Sequence, residues 1–286
     1  MSSGSRSGVL RNDLMHSDAP PDDGITVVKL GGRTQADAAL PRAIKTLWER
    51  TNGRVVIVHG GGDQISTLQR LRGEEPVFVG GRRFTSPMVL ELVRMVLSGS
   101  ANKSLVSALT AVGVPAVGIS GEDAALLPAT ILDAATLGFA GTPGRVQPAL
   151  MHHLLAGNFL PVISPVGTNM NDSAHSALNI NGDDAAAAIA VALRAKELIL
   201  MVDVEGVLDG SKQLLPQLTL AETHRLVASG VAGGGMAAKL EACGIAFSGG
   251  VPRVRVGNLD ALTVPSAGTT ITTVISAHTS SPAFLP

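Results

Sequence analysis

The stretch VVIVHGGGDQ, residues 55–64, places four β-branched residues ahead of a histidine and three glycines. A short apolar run without polar alternation is typical of a strand that is buried on both faces, as in a parallel sheet. One glycine usually suffices to turn the chain after a strand, whereas three in a row expose bare backbone. The stretch therefore predicts a buried strand whose end is shaped for a group to lie against backbone amides.

Similar apolar runs recur along the chain, and helix-forming segments separate them. Strand–helix alternation of this kind favours an α/β fold with a mostly parallel sheet that carries helices on both faces. Turn residues at short intervals in residues 125–147 instead predict one or two β-hairpins. The predicted strands lie at 25–30, 54–59, 114–120, 159–165, 196–204, 251–257 and 269–275.

Composition excludes several classes of protein. The 286 residues carry a net charge of −1 and only 2% aromatic side chains, so we expect no nucleic-acid partner. No apolar run reaches 18 residues, which predicts no membrane span.

The single cysteine, Cys243, excludes an intrachain disulfide and indicates a reducing compartment, which we expect to be the cytoplasm. The histidines lack metal-ligand spacing, so no protein-bound metal is predicted.

Ligands of parallel sheets bind where the strands end, and the residues found there are mostly glycine or charged. Lys29 lies inside an apolar strand just before Gly31 and Gly32, and Asp203 follows a later strand. An unpaired ammonium inside a strand is costly, so Lys29 is either an edge residue that reaches solvent or a cation held near an anionic ligand.

The glycines at 60–62 precede a helix, whose amino-terminal amides would bind an anion. The loop has neither the Gly-Lys-Ser/Thr of a Walker A motif nor the spacing of a dinucleotide fingerprint, and a simple tight turn stays possible at this point. GGGMAAK, residues 233–239, likewise opens a helix and places Lys239 in about its first turn. A cation near the start of a helix is locally unfavourable unless an anion lies nearby, so Lys239 could lie beside an anionic ligand. The alternative is an exposed surface lysine.

Two further segments offer polar groups before helices. NINGDD, residues 179–184, contains Asn179 and Asp183, and a helix cap accounts for only one of its polar side chains. A carboxylate at Asp183 could align two lysines through charge-assisted bonds. GGRRFTS, residues 80–86, offers arginines whose fork-shaped head suits a carboxylate, with a surface pair as the alternative.

Seven motifs occur in the order found in the amino-acid kinase family, and they are most similar to those of acetylglutamate kinases. The resemblance spans residues 25–275 and depends on KLGG, HGGG, GGRRFT, SGSANK, NINGDD, DVEGV and GGGMAAK. It implies an open three-layer αβα sandwich and transfer of a phosphoryl group from ATP, with Mg²⁺ carried by the nucleotide, to the γ-carboxylate of N-acetylglutamate in arginine biosynthesis. It also implies at least a homodimer.

By the same resemblance, Lys29 and Lys239 would neutralise the transferred phosphoryl group and Asp183 would position both lysines. The other motif residues are expected to bind the two substrates: Gly61, Gly62, Arg83 and Asn179 the amino acid, and Gly31, Gly32 and Asp203 the nucleotide.

The resemblance implies an amino-acid-binding lobe, residues 25–195, and a nucleotide-binding lobe, residues 196–275. Residues 1–24 are rich in Ser, Asp and Pro, and we expect them and residues 276–286 to be mobile tails. Gly182 stands where acetylglutamate kinases usually have alanine, and related kinases that act on carrier-bound aminoadipate have glycine there. A kinase for carrier-protein-bound aminoadipate or glutamate is therefore one alternative. A non-catalytic ligand-binding relative is the other, although such a protein would be expected to lack one of the two lysines.

Overall fold

The computed structural model describes residues 24–31, 34–174 and 176–272. Except for Gly24, the predicted tails lie outside these residues, and so does Gly32.

Fourteen strands lie within the described residues. They are β1 (Thr26–Lys29), β2 (Val55–Val58), β3 (Phe78–Val79), β4 (Arg82–Arg83), β5 (Ala116–Ser120), β6 (Pro128–Ile131), β7 (Ala140–Pro143), β8 (Leu160–Ser164), β9 (Val166–Asn169), β10 (Ala177–Ile180), β11 (Glu197–Met201), β12 (Gln217–Thr219), β13 (Val254–Gly257) and β14 (Thr269–Thr272).

The α-helices of the same residues are α1 (Leu40–Arg50), α2 (Gly62–Leu71), α3 (Pro87–Val93), α4 (Asn102–Ala111), α5 (Ala134–Leu137), α6 (Ala149–Ala156), α7 (Gly182–Ala192), α8 (Leu220–Ala228), α9 (Gly234–Ser248) and α10 (Asp260–Thr263). A π-helical segment, Arg94–Ala101, joins α3 to α4 without a break. None of the helices in this part of the chain has the length and apolar character that a membrane span requires.

The central sheet has eight strands in the order β12-β14-β13-β11-β1-β2-β8-β5. Its neighbouring strands are parallel except for the antiparallel pair β13 and β14. The predicted mostly parallel sheet is thus confirmed. In the register of β1, Lys29 lies between Val58 of β2 and Leu200 of β11, at the carboxyl end of a central strand.

Both faces of this sheet are buried, and successive strand residues alternate between two hydrophobic cores. Val27 packs with residues of α6, α7 and α9, whereas Val28 packs with residues of α1, α4 and α10. Because each face is covered, the strands read as continuous apolar runs rather than as alternating patterns. This burial is why apolar runs in the sequence located seven of the eight strands of the central sheet. The exception is β12, which has only three residues and was not predicted.

Two further features of the fold were absent from the predicted elements. β3 and β4 form a two-stranded hairpin, and β10, β7, β6 and β9 form a small sheet that closes on itself. Strands of two residues leave no periodic pattern, and β9 and β10 contain glycine and asparagine, which are uncommon in strands. The predicted hairpin in residues 125–147 is present as the antiparallel pair β6 and β7.

The predicted boundary between the lobes falls directly before β11. Because β11 pairs with β1 along its length, the central sheet runs without interruption across this boundary. The division into an amino-acid-binding and a nucleotide-binding lobe stays a prediction.

A buried arginine, Arg255, lies toward the amino-terminal end of the parallel strands, whereas Lys29 lies at their carboxyl end. Arg255 of β13 is only 1% exposed, and its Nε lies 2.6 Å from Glu197 Oε1. It also donates to the carbonyls of Ala261, Val264 and Ala267, which fixes the segment around α10.

We expect Arg255→Met to lower the free energy of unfolding by about 3 kcal/mol. Glu197 would keep only the more exposed Arg253 as a partner, at 3.1 Å, and three carbonyl groups near α10 would lose a charged donor. Urea denaturation measures this change. Arg225→Met is the matched control, since Arg225 is exposed and its 3.8 Å contact with Glu222 is worth at most about 1 kcal/mol. Equal effects of the two substitutions would contradict a structural role for the buried pair.

Candidate active site

Two lysines from distant segments share one carboxylate. Lys29 Nζ lies 2.9 Å from Asp183 Oδ1, and Lys239 Nζ lies 3.1 Å from Asp183 Oδ2. The side chains are 10%, 14% and 6% exposed for Lys29, Lys239 and Asp183, respectively. The structure therefore brings together the three residues that the motifs predicted as catalytic.

Each member of this cluster is placed by the start of a helix or the end of a strand. Lys29 ends β1, and Asp183 lies in the first turn of α7. Lys239 lies in the second turn of α9, slightly later than the predicted first turn. Asn181 caps α7, because its Oδ1 accepts from the amides of Asp183 and Asp184 at 2.8 and 3.4 Å. With the helix capped by Asn181, the Asp183 carboxylate stays available to the lysines.

Burial and charge act in opposite directions on these groups. Burial lowers the pKa of Lys29, and the neighbouring Lys239 lowers it further, against the opposing effect of Asp183. Burial raises the pKa of Asp183, but the two lysines together outweigh burial and hold that pKa below its usual value. Two ammonium groups and one carboxylate leave an excess positive charge at this strand edge, which favours an anionic ligand.

Two cavities open beside the cluster. The arginine cavity is lined by residues that include Gly61, Phe78, Arg82, Arg83, Asn179 and Gly182. The lysine cavity is lined by residues that include Lys29, Gly31, Asp203, Gly235, Met236 and Lys239. Gly62, the first residue of α2, lines both. The two cavities thus meet at a helix amino terminus, next to the lysine pair.

Arg83 is held rigidly at the arginine cavity. Its Nη1 donates to Gln69 Oε1 at 2.7 Å, and its Nη2 donates to the Gly62 carbonyl and to Ser66 Oγ at 2.9 and 2.8 Å. The guanidinium carbon also lies 4.6 Å from the centre of the Phe78 ring. A guanidinium fixed in this way loses little further freedom when it binds a carboxylate.

The remaining predicted residues divide between the two cavities. Asn179 donates from Nδ2 to Thr85 Oγ1 at 2.9 Å, which orients its amide at the arginine cavity. Gly31 and Asp203 line the lysine cavity, on the side that was predicted to bind the nucleotide. Gly32 lies outside the described residues, so its predicted contact stays a prediction.

A second charged pair at the site was not predicted. Arg82 Nη2 lies 2.9 Å from Asp184 Oδ2, and burial raises the pKa of Asp184 despite this partner. Both residues belong to the predicted motifs. Arg82 is the first arginine of GGRR in β4, and Asp184 is the second aspartate of NINGDD at the start of α7. From each of these two motifs only one charged residue, Arg83 or Asp183, was predicted to have a role, and Arg82 and Asp184 were not.

Among the described residues, no group of three or more His, Cys, Asp or Glu side chains could hold a metal ion. Two separate carboxylates, Asp63 and Asp203, line the lysine cavity. This donor set suits a divalent cation that arrives on a phosphorylated ligand better than one that the protein alone would hold.

Comparisons with known proteins agree with this geometry. The family model described as "Amino acid kinase family" matches residues 24–258. An acetylglutamate kinase from Afipia carboxidovorans is 39% identical over 248 residues, which cover 82% of this chain and 83% of that protein. An acetylglutamate kinase from Methanoculleus marisnigri is 39% identical over 247 residues, which cover 81% of this chain and 84% of that protein. The crystal structure of smu.665 from Streptococcus mutans has a TM-score of 0.78 and 30% identity, and covers 87% of this chain and 99% of that one.

The charge cluster predicts a specific dependence of stability on pH. We expect Asp183→Asn to lower the free energy of unfolding at pH 7, because two buried ammonium groups lose their counter-charge. The pKa of Asp183 is lower in the folded state than its unfolded value of 3.8, so its contribution is present above pH 3.8 and is lost as the pH falls through the folded pKa. Urea denaturation between pH 7 and pH 3 measures the difference between variant and wild type.

Asp184→Asn is the matched control. The contribution of Asp184 to stability changes with pH in the opposite direction to that of Asp183. Burial raises the folded pKa of Asp184, so the contribution of this residue is present below pH 3.8 and is lost as the pH rises through the folded pKa. A difference for Asp183→Asn that stays constant down to pH 3 would contradict the proposed counter-charge.

Proposed function

The chain belongs to the amino acid kinase family, and we propose that it transfers the γ-phosphoryl group of ATP to the γ-carboxylate of N-acetyl-L-glutamate, in arginine biosynthesis. The products are ADP and an acyl phosphate. The observation that carries this proposal is the Lys29–Asp183–Lys239 cluster at the junction of the two cavities. The names of the relatives from Afipia carboxidovorans and Methanoculleus marisnigri support acetylglutamate as the acceptor.

In this proposal an oxygen of the substrate carboxylate attacks the γ-phosphorus while the bond to the β-γ bridging oxygen breaks, and the electron pair of that bond leaves with ADP. Both reactants are anions, so the protein must hold them together against their repulsion and stabilise charge on the transferred group. Asp183 neutralises only one of the two ammonium groups. Both lysines line the lysine cavity, and from there they would supply that charge.

The arginine cavity suits an acylated amino acid. Arg83 and Asn179 offer donors for an α-carboxylate, and Phe78 with other apolar side chains of the cavity offers surface for methylene and methyl groups. Amides at the start of α2 would face the junction at which the second carboxylate reacts. This arrangement would orient a molecule with two carboxylates so that only one of them reaches the lysines.

The lysine cavity is the proposed nucleotide side. Its carboxylates would help to hold Mg²⁺ that is bound mainly by the phosphates, and the ion would add positive charge at the bridging oxygens. A homodimer and a cytoplasmic location are predictions that accompany this proposal.

The structure weakens the argument for a carrier-bound substrate. A small acidic carrier would need a basic groove near the mouth of the substrate cavity, and Arg82 of the GGRR segment is already paired with Asp184. A methyl group on Gly182 would lie 3.1 Å from Lys29 Cε. The glycine therefore makes room for the lysine, and its presence is not evidence for a carrier-bound substrate alone. The intact lysine pair also argues against a non-catalytic relative.

One assay tests the proposed function. ATP consumption is measured with N-acetylglutamate, glutamate, aspartate, N-acetylaminoadipate and carbamate side by side. We expect turnover with N-acetylglutamate to exceed turnover with every other acceptor. Preference for N-acetylaminoadipate would favour the carrier-linked alternative, and no turnover with any acceptor would favour a ligand-binding relative.

We expect Lys239→Met to lower kcat by about 10²-fold or more while the affinity for acetylglutamate changes little, because the ammonium acts on charge that develops in the transition state. Lys29→Met should behave in the same way. The double variant should lose less than the product of the two single losses, since both groups stabilise one charge. Steady-state kinetics and calorimetric binding measure these quantities.

The matched control for the lysine variants is Lys45→Met, which alters a partly exposed lysine of α1 that lines neither cavity. It should leave kcat unchanged. A variant of Lys29 or Lys239 with near wild-type kcat would remove that residue from the proposed mechanism.

Arg83→Ala should raise KM for the acyl amino acid far more than KM for ATP, because the guanidinium lines only the arginine cavity of the two. A charge-assisted contact of this kind is worth about 2–3 kcal/mol, which is tens of fold or more in binding. Arg70→Ala, on the exposed face of α2, is the control. A larger effect of Arg83→Ala on ATP than on the amino acid would overturn this assignment.

A further inference from the structure

His59, the residue before the glycine run, is completely buried and makes two side-chain contacts. Its Nε2 lies 3.1 Å from Asn102 Nδ2, and its Nδ1 lies 2.9 Å from the carbonyl oxygen of Gly60. No role for this side chain was predicted from the motifs, and His59 lines neither ligand cavity. Its position beside the glycine run nevertheless connects it to the groups proposed to bind the substrates.

The two contacts define one tautomer of His59. The Asn102 amide nitrogen also donates to the Val162 carbonyl at 2.9 Å, which fixes that nitrogen rather than the amide oxygen toward the ring. Since an amide nitrogen can only donate, His59 Nε2 must accept, and Nδ1 must carry the proton. A protonated Nδ1 is also what the Gly60 carbonyl requires, because a carbonyl can only accept. Burial lowers the pKa of His59, in agreement with a neutral ring.

The Gly60 carbonyl receives a second hydrogen bond. Gln35 Nε2 donates to it at 2.9 Å and also lies 3.3 Å from the carbonyl of Gly31, so one side chain connects the two glycine loops. In a planar trans peptide, the Gly60 carbonyl and the Gly61 amide point in opposite directions. Two donors on the carbonyl therefore fix the direction in which the Gly61 N–H points, and Gly61 lines the arginine cavity.

Glycine gives this peptide freedom that another residue would not have. The first amides of a helix have no acceptor within the helix, so the Gly61 amide is available to a ligand at the start of α2. Three consecutive glycines, however, allow the peptide plane to rotate. A donor of this kind stabilises a transition state well only if it is oriented before the reaction.

We infer that His59 is a positioning residue, which acts through the Gly60 carbonyl to hold the Gly61 amide toward the reacting carboxylate and phosphoryl group. The identity of the ligand in this inference rests on the proposed function. The contacts of His59 with Asn102 and Gly60 do not depend on that function. Asn102 sets the tautomer of His59, and Gln35 shares the task of holding the carbonyl.

Two substitutions separate positioning from packing. His59→Asn places an amide near the position of Nδ1 and keeps a donor for the Gly60 carbonyl, whereas His59→Gln places the amide near Nε2 and leaves the carbonyl without it. Both remove the ring from a buried site, so both should lower stability. We expect His59→Gln to lower kcat by about 10- to 100-fold, with smaller changes in KM, because misplacing a reacting group by about 1 Å can cost about 10²-fold. His59→Asn should keep most of kcat.

His153→Gln, on the exposed face of α6, is the matched control and should leave kcat unchanged. Thermal denaturation of every variant shows whether kcat follows stability instead. A folded His59→Gln protein with kcat equal to that of His59→Asn would overturn the inference.

Should neither His59 variant fold, Gln35→Leu provides an independent test at a half-buried position. It removes one of the two donors to Gly60 and should lower kcat by about fivefold, the equivalent of one neutral hydrogen bond. Wild-type kcat in that variant would count against the role of the carbonyl.

Nitrogen-15 NMR of labelled histidine tests the tautomer without any assay of activity. We expect a neutral His59 ring with the proton on Nδ1, and a proton on Nε2 would overturn the inference. If the wild-type protein did not consume ATP with any acceptor, the proposed function would fail while this spectrum still decided the contact between His59 and Gly60.

Discussion

One carboxylate between two ammonium groups is the constraint on which the site depends. Without Asp183, the helix that carries Lys239 and the strand that carries Lys29 would bring two like charges together in a buried place. The carboxylate compensates only one of the two charges. The fold therefore stores an unbalanced positive charge at the junction of its cavities, and an anionic ligand can satisfy it.

The architecture explains how segments so distant in the sequence can meet. Parallel strands of a doubly covered sheet bring their carboxyl ends to one edge, and each helix that follows such a strand begins near that edge. α2, α7 and α9 all begin at the two cavities, so three partially positive helix ends point at the same region. Lys239 near the start of α9 is unfavourable for that helix alone, and Asp183 from α7 supplies the anion that makes the position tolerable.

The sequence predicted the secondary structure correctly where the burial of an element leaves a clear residue pattern. β1, β2, β8 and β11 are buried on both faces, so their apolar runs located them, and the glycine loops located the helices that start at the site. Where short strands and mixed composition erase the pattern, as in β3, β4, β9 and β10, no periodicity predicted them. Pairings such as Arg82 with Asp184 depend on which strand end faces which helix, and that information lies in the tertiary structure alone.

The glycine run at residues 60–62 shows how a flexible segment can form a precise site. Glycine at 60–62 lets backbone amides approach a ligand, but the same freedom would let those amides turn away. The two side chains that contact Gly60 remove that freedom on one side only. His59 and Gln35 hold the carbonyl, and the amide on the other side of the peptide is left for a ligand. The motif thus needs its histidine as much as its glycines, because the glycines provide access and the histidine provides direction. A buried side chain that never touches the substrate can in this way determine how well the backbone stabilises the reacting group.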